Sequence, residues 1–216
     1  MIESSILAEI REIYSQIKPL IEERLRDFQN IWYNATEEEL FKELCFCLLT
    51  PQSKAVICDK AINSLWEKDL ILNGTEEEIQ DELVGVRFKR NKSRYIVLAR
   101  KTFFNGNFIS IRKKIDPNDI FFTREWLVKN IKGFGYKEAS HFLRNIGFGE
   151  DIAILDRHIL KNLKLLNVIE SIPKTLTKKR YLEIESSMRD FCKEINISMA
   201  HLDLTLWYKE AGKVFK

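Results

Sequence analysis

Residues Ile131 to Asp156 read IKGFGYKEASHFLRNIGFGEDIAILD. Gly133 and Gly135 flank a single Phe134, and residues without a Cβ allow a tight hairpin whose backbone can approach another group closely. Ala139, Phe142, Leu143 and Ile146 then fall at i, i+3, i+4 and i+7, the apolar face of a helix, and Gly147 is its stop signal. A turn that feeds a helix N-terminus presents unpaired N–H groups at the positive end of the dipole, which suits a phosphate. Lys137, His141 and Arg144 recur at i, i+4 and i+7 opposite the apolar face, so Lys137 is expected to point away from the packing of its own helix. In a first turn the dipole disfavours an added positive charge, which favours the free amine that a nucleophile requires.

Asp156 lies nineteen residues after Lys137, behind the apolar run Ile152 to Leu155 and ahead of a helical pattern that reaches Leu166. That is an N-cap position. An aspartate there caps a helix whether or not it does chemistry, and a single lysine is ordinarily a solvated one. The two together, behind a glycine hairpin, are what point to a reaction.

Composition bounds the remaining possibilities. With 216 residues, 45% of them hydrophobic, the chain can bury a core, as one unit spanning 1–216. Only 8 glycines and 4 prolines, with recurrent 3.6-residue periodicity, predict an all-α protein of about eleven helices. Net charge is +3 from 35 basic and 32 acidic residues, so any nucleic-acid surface must be a local patch. No apolar run is long enough to span a bilayer, and the acidic, periodic N-terminus does not read as a signal peptide. Cys45, Cys47, Cys58 and Cys192 form no C-x-x-C pair, which disfavours a zinc ribbon or a redox motif and favours buried free thiols.

Local signals mark the other elements. Ile6, Ile10, Ile13 and Ile17 trace a first helix, and Pro19 is expected to open a second. Thr36 with Glu39, and Thr75 with Glu78, are capping boxes, the first opening a helix over 37–49. Thr50-Pro51-Gln52-Ser53 is a break, followed by a helix to about Leu72. The basic helix from Lys89 has Tyr95, Ile96, Ala99 and Phe103 on its apolar side, and Asn105-Gly106 is a turn. Asp119 to Asn130 leads into the hairpin.

The hairpin segment IKGFGYKEASHFLRNIG followed by ILDRHIL resembles the helix-hairpin-helix and Gly/Pro-Asp signature of the DNA glycosylase superfamily, with the motif over about 120–147. The Lys137–Asp156 spacing is similar to that of the 8-oxoguanine glycosylases. The absence of a four-cysteine iron–sulfur loop after Cys192 points the same way. One departure is visible: no proline precedes Asp156. The segment Leu48–Trp66 is similar to the one that places a glutamine or asparagine at the duplex, here Gln52. The Gly85-Val86-Arg87-Phe88 run and the ending HLDLTLWYKEAGKVFK look like the archaeal-type (type 2) 8-oxoguanine glycosylases.

That resemblance implies a two-lobed helical fold with its site in the cleft between lobes. It implies a bifunctional glycosylase/AP lyase in which Lys137 is the nucleophile and Asp156 assists. Lys216, Trp207 and Asp203 would recognise the base, and Gln52, Arg87, Phe88, Lys89, Gly133 and Gly135 would contact DNA, with Arg90, Lys92 and Arg94 as further phosphate contacts. Phe88 reads either as a wedge in the duplex or as a core residue, Trp207 as a pocket wall or packing, and His158 as a functional or a merely buried histidine. The partner would be duplex DNA carrying 8-oxoguanine, met by a monomer in a prokaryotic cytoplasm. No catalytic metal or redox cofactor is called for, although hairpin carbonyls such as those of Ile131 and Phe134 offer a seat for a structural monovalent cation. Two alternatives stay open: a glycosylase for other oxidised bases, and a non-catalytic helix-hairpin-helix module that only grips phosphates.

Overall fold

The computed structural model describes residues 5–106 and 108–214. Eleven α-helices occur among them: α1 (Ser5–Asn34), α2 (Glu37–Leu49), α3 (Ala55–Glu67), α4 (Leu70–Asn73), α5 (Glu76–Glu82), α6 (Lys89–Phe103), α7 (Ile120–Asn130), α8 (Tyr136–Asn145), α9 (Arg157–Leu165), α10 (Lys178–Ile195) and α11 (Met199–Ala211). Between α6 and α7, Phe104–Asn105 and Phe108–Ile109 pair antiparallel as a minimal hairpin around the expected Asn105-Gly106 turn. The fold is all-α in substance.

Local caps set many of the boundaries. Thr36 and Thr75 accept the N–H groups of Glu39 and Glu78, whose carboxylates accept the threonine N–H groups in return. Gly147, at φ +94°, closes α8: its N–H reaches Arg144 O and that of Phe148 reaches Leu143 O.

Two expectations fail for tertiary reasons. Pro19 does not open a helix; α1 runs through it for 30 residues. Interior proline costs about 3 kcal/mol, yet Ile10, Ile17, Ile21 and Phe28 continue one buried stripe past it, and burying each contributes about 1.5–3 kcal/mol. The helix expected to reach Leu72 instead breaks at Asp69, which turns left-handed at φ +56° and divides α3 from α4.

Two main cores result. One gathers the apolar faces of α2 through α8. The other joins Ile10 of α1 to the loop before α9, to α9 itself, α10 and α11. The α8 helix contributes Ala139, Phe142 and Leu143 to the first core, while its leading residue Tyr136 packs on the second. Lys137, one position on, therefore sits where the two cores meet.

Candidate active site

The hairpin between α7 and α8 is closed by the Phe134 N–H donating to Ile131 O at 3.1 Å, with Phe134 turned inward. Gly133 is required twice over. Its φ is +96°, and a Cβ there would lie 2.4 Å from the Tyr95 ring. Gly135 has ordinary extended backbone, and its N–H is taken by the Glu138 carboxylate at 3.0 Å.

Lys137 is half-buried. Its Nζ donates to Thr50 Oγ1 at 3.1 Å and lies 3.7 Å from Glu138 Oε1. The Thr50 hydroxyl itself donates to Cys47 O, so its lone pairs face the lysine. The end of α2, 87 residues earlier in the chain, thus holds the amine. Its neighbours His141 and Arg144 are buried rather than solvated. His141 lies edge-on to Phe46, and the Arg144 guanidinium stacks over Phe28. The side of α8 opposite its apolar face is thus covered as well, and the partly exposed residues of the helix are those of its first turn, Tyr136, Lys137 and Glu138.

Asp156 caps α9, its Oδ1 accepting the N–H groups of His158 and Ile159 at 2.8 and 2.9 Å. The loop ahead of it is held from α10. Tyr181 donates its hydroxyl to Ala153 O at 2.6 Å and accepts the Leu155 N–H, while Glu185 accepts the Ala153 N–H at 2.8 Å. Burial pushes the Tyr181 hydroxyl up, keeping it a donor. Tyr136, beside Lys137, packs its ring on Tyr181 at 5.4 Å. One tyrosine pair therefore connects the lysine to the aspartate loop.

Asp203 and Trp207 come to the same side. The buried Asp203 carboxyl is pushed up to about 6 by burial; Arg144 opposes the shift and Asp156 adds to it. Trp207 stands edge-on to His158 at 5.5 Å, and its buried indole Nε1 has no hydrogen-bond acceptor among the described residues. His158 Nδ1 lies 3.4 Å from Glu210, which also accepts from Lys161 and Asn162. Val214 packs against Ile17, Ile21 and Leu204, whereas Lys216 lies outside the described residues. A cavity of about 370 Å³ beside Val214 is lined by Leu20, Arg24, Asp27 and Tyr208, and neither Lys137 nor Asp156 reaches it.

The expected DNA-contacting residues stand on two neighbouring turns. Gln52, Arg87, Phe88 and Lys89 are exposed, as are Arg90 and Arg94. Gln52 and Phe88 are both left-handed, at φ +55° and +57°. Phe88 is 53% exposed, which removes the core reading for it, and Arg87 stacks on its ring at 5.7 Å.

Lys92 is a correction: at 3% exposure it contacts no solvent phosphate. Its Nζ donates to Leu49 O, Pro51 O and Ser53 Oγ at 2.7, 2.8 and 3.1 Å, and burial pulls its ammonium down to about 8. The signal was present in the sequence, since Lys92 lies four and seven residues before Ile96 and Ala99, on the apolar stripe of α6. Thr50, Tyr181 and Glu185 carried no such signal. Cys45, Cys47, Cys58 and Cys192 are buried free thiols.

A family model described as 8-oxoguanine DNA glycosylase matches residues 21–197. A protein of Fusobacterium nucleatum named 8-oxoguanine DNA glycosylase/AP lyase is 54% identical over 216 residues, with 96% of each chain covered. A Methanocaldococcus jannaschii protein of the same name is 44% identical, with 94% of each covered. The solved 8-oxoguanine DNA glycosylase of Thermotoga maritima superposes with a TM-score of 0.86 at 40% identity, over 97% of this chain and 98% of that one. The M. jannaschii glycosylase/lyase, solved in complex with a 15mer DNA containing 8-oxoguanine, gives 0.87 at 42% identity over the same shares. Fold, hairpin and likeness across nearly the whole length agree, and the chain belongs to the 8-oxoguanine DNA glycosylase family.

Proposed function

We propose that this chain is a bifunctional DNA glycosylase/AP lyase that excises 8-oxoguanine from duplex DNA in base excision repair. The observation that carries the reading is Lys137. It is a half-buried amine in the first turn behind a glycine hairpin, aimed by Thr50 and tied through Tyr136 and Tyr181 to the Asp156 loop.

The target bond is inaccessible within a stacked duplex, so the damaged nucleotide is flipped out. Lys137 Nζ, as the free amine, forms a bond to C1′ while the glycosidic bond breaks and its electron pair leaves with the base. Asp156, with both cap bonds on Oδ1, stabilises positive charge developing on the sugar and accepts a proton from the lysine. Ring opening gives a Schiff base. Loss of a C2′ proton then expels the 3′ phosphate, nicking the strand on the 3′ side of the lesion.

Trp207 and Asp203 line the base side, and the buried indole N–H is a donor in search of an acceptor. The first-turn N–H groups of α8 receive a backbone phosphate. Within the same proposal, a monovalent cation held by hairpin carbonyls such as those of Ile131 and Phe134 would be structural and take no part in these steps. The enzyme is proposed to act as a monomer in a prokaryotic cytoplasm. No described helix is long and apolar enough to cross a membrane.

Borohydride reduction on a duplex carrying one 8-oxoguanine tests the reading, because it traps the Schiff base covalently. The adduct should form with the natural protein and not with Lys137→Gln or on undamaged duplex. Tight duplex binding by both proteins with no adduct would reduce the hairpin to a grip and overturn the proposal.

A further inference from the structure

Lys92 is the one buried lysine among the described residues, and its ammonium rests on three neutral oxygens. Burying a charge is costly unless hydrogen bonds replace the water it loses. Lys92 Nζ donates to Leu49 O at 2.7 Å, to Pro51 O at 2.8 Å and to Ser53 Oγ at 3.1 Å, which uses every donor an ammonium has. Leu49 is the last residue of α2. Its carbonyl is one of those a helix leaves without an internal partner, at the negative end of the dipole. The ammonium of α6 therefore caps the buried end of α2, from 43 residues further along the chain. At pH 7 it keeps its three protons, since burial, with the Lys137 charge adding to it, brings it down only to about 8.

The clamp acts on the residue that holds the proposed nucleophile. Between the clamped carbonyl of Leu49 and that of Pro51 stands Thr50, and the pyrrolidine ring fixes φ of Pro51 itself. A short segment anchored at both ends, with one rigid member, leaves Thr50 little freedom, and β-branching restricts its χ1 further. The Thr50 hydroxyl donates to Cys47 O at 2.9 Å, so its lone pairs meet Lys137 Nζ at 3.1 Å. Two lysines thus reach one threonine from different helices. Lys92 of α6 holds the backbone around it, and Lys137 of α8 takes its hydroxyl. Glu138 is the other near group, 3.7 Å from the amine, and its second oxygen is held by the Gly135 N–H. A lysine stem is long and flexible. An amine held by one N–H keeps its lone pair turned away from that partner, and alignment before reaction is a large part of what a site contributes to rate.

We propose that Lys92 is a positioning residue for the attack on C1′: by capping α2 it fixes Thr50, and Thr50 aims the Lys137 amine. The inference rests on the proposed glycosylase/AP lyase activity. Lys92 touches no substrate and exchanges no proton in the reaction. Its effect passes through one residue, so removing Lys92 and removing the Thr50 hydroxyl should cost the same rate once. A cap with a stabilising role alone would lower stability and leave the two losses independent.

The test uses the full chain as Lys92→Met, Thr50→Val, the double variant and Thr50→Ser. Each protein, at saturating concentration, meets a duplex carrying a preformed abasic site, and timed borohydride quenches give the single-turnover rate of the covalent adduct. Neither duplex affinity nor base excision enters that rate. Lys92→Met and Thr50→Val should each slow the adduct about tenfold or more. The double variant should lie within about twofold of the slower single one, and Thr50→Ser, which restores the hydroxyl, should recover most of the rate that Thr50→Val loses. If Lys92→Met does not fold, Lys92→Gln, which keeps two amide donors, takes its place in the same cycle. Losses that multiply in the double variant, or a Lys92 variant within about twofold of the natural rate, would overturn the inference. The glycosylase reading would then stand, because the natural protein still forms its adduct. A natural protein that forms no adduct would overturn that reading and the inference with it.

Discussion

Replacing Arg124 by methionine should unfold this protein far more readily than a surface charge deletion, and the magnitude follows from what is left behind. Arg124 of α7 and Glu185 of α10 are 1% and 2% exposed and pair through two bonds of 2.6 and 2.8 Å. The same guanidinium donates to Ser140 of α8 and lies over the rings of Phe121, Tyr136 and Tyr181. The same carboxylate accepts the Ala153 N–H in the loop that ends at Asp156. Methionine fills the space but leaves a buried carboxylate with the Ala153 N–H and Arg189, 3.7 Å from Oε1.

Breaking one side of a buried pair costs about 3–5 kcal/mol. For a chain of this size that is a fall in Tm of roughly 6–20 °C. The double variant Arg124→Met/Glu185→Gln removes the orphaned charge and keeps an acceptor for Ala153, so it should recover at least half of the loss. Urea unfolding at pH 7 measures all three proteins. A single variant costing under about 1 kcal/mol, or a double variant no better than the single, would refute the reasoning. Because the clamp also holds the Asp156 loop, kcat for excision should fall in Arg124→Met while KM for duplex stays close to natural.

Gly133→Ala should lower stability by about 2–5 kcal/mol, since the new Cβ meets the Tyr95 ring at 2.4 Å and the φ of +96° is strained for any L side chain. Adding Tyr95→Ala should recover the steric part only, and a loss below about 1 kcal/mol in urea would show that the hairpin yields. Asp203 predicts a pH dependence. Its folded-state carboxyl is raised to about 6 from an ordinary 3.8, so the folded state holds the proton more tightly and the group's stabilisation is lost as pH rises from about 4 to 6. The stability of the natural protein minus that of Asp203→Asn should fall by about 2 kcal/mol between pH 4 and pH 7, and a flat difference across urea titrations would contradict the assigned burial.

The sequence by itself determined whatever is settled within one helical turn. The capping boxes at Thr36 and Thr75, the Gly147 stop and the Asp156 cap are bonds between residues two to five apart, and each appears where the pattern puts it. The hairpin and its two candidate catalytic residues were legible for the same reason: both sit at helix starts, and a helix start is a local event. The Gly85–Phe88 run left Phe88 open between wedge and core, and the structure is what places its ring outside. Where helices end was therefore written in the chain. What their faces meet was not.

Only the tertiary structure decided which charges are buried, because burial depends on atoms brought from far along the chain. Lys92 reads as one member of a basic cluster until the end of α2 is placed over it, 39 to 43 residues away in sequence. Arg144 and His141 read as the polar side of α8 until α1 and α2 cover that side. Pro19 reads as a helix start until the buried stripe on both sides of it outweighs the cost of one missing bond. Lys137 acquires its direction from Thr50, 87 residues earlier. A periodic pattern tells which residues share a face, but not what that face will meet, and a lysine side chain is aimed by what it meets.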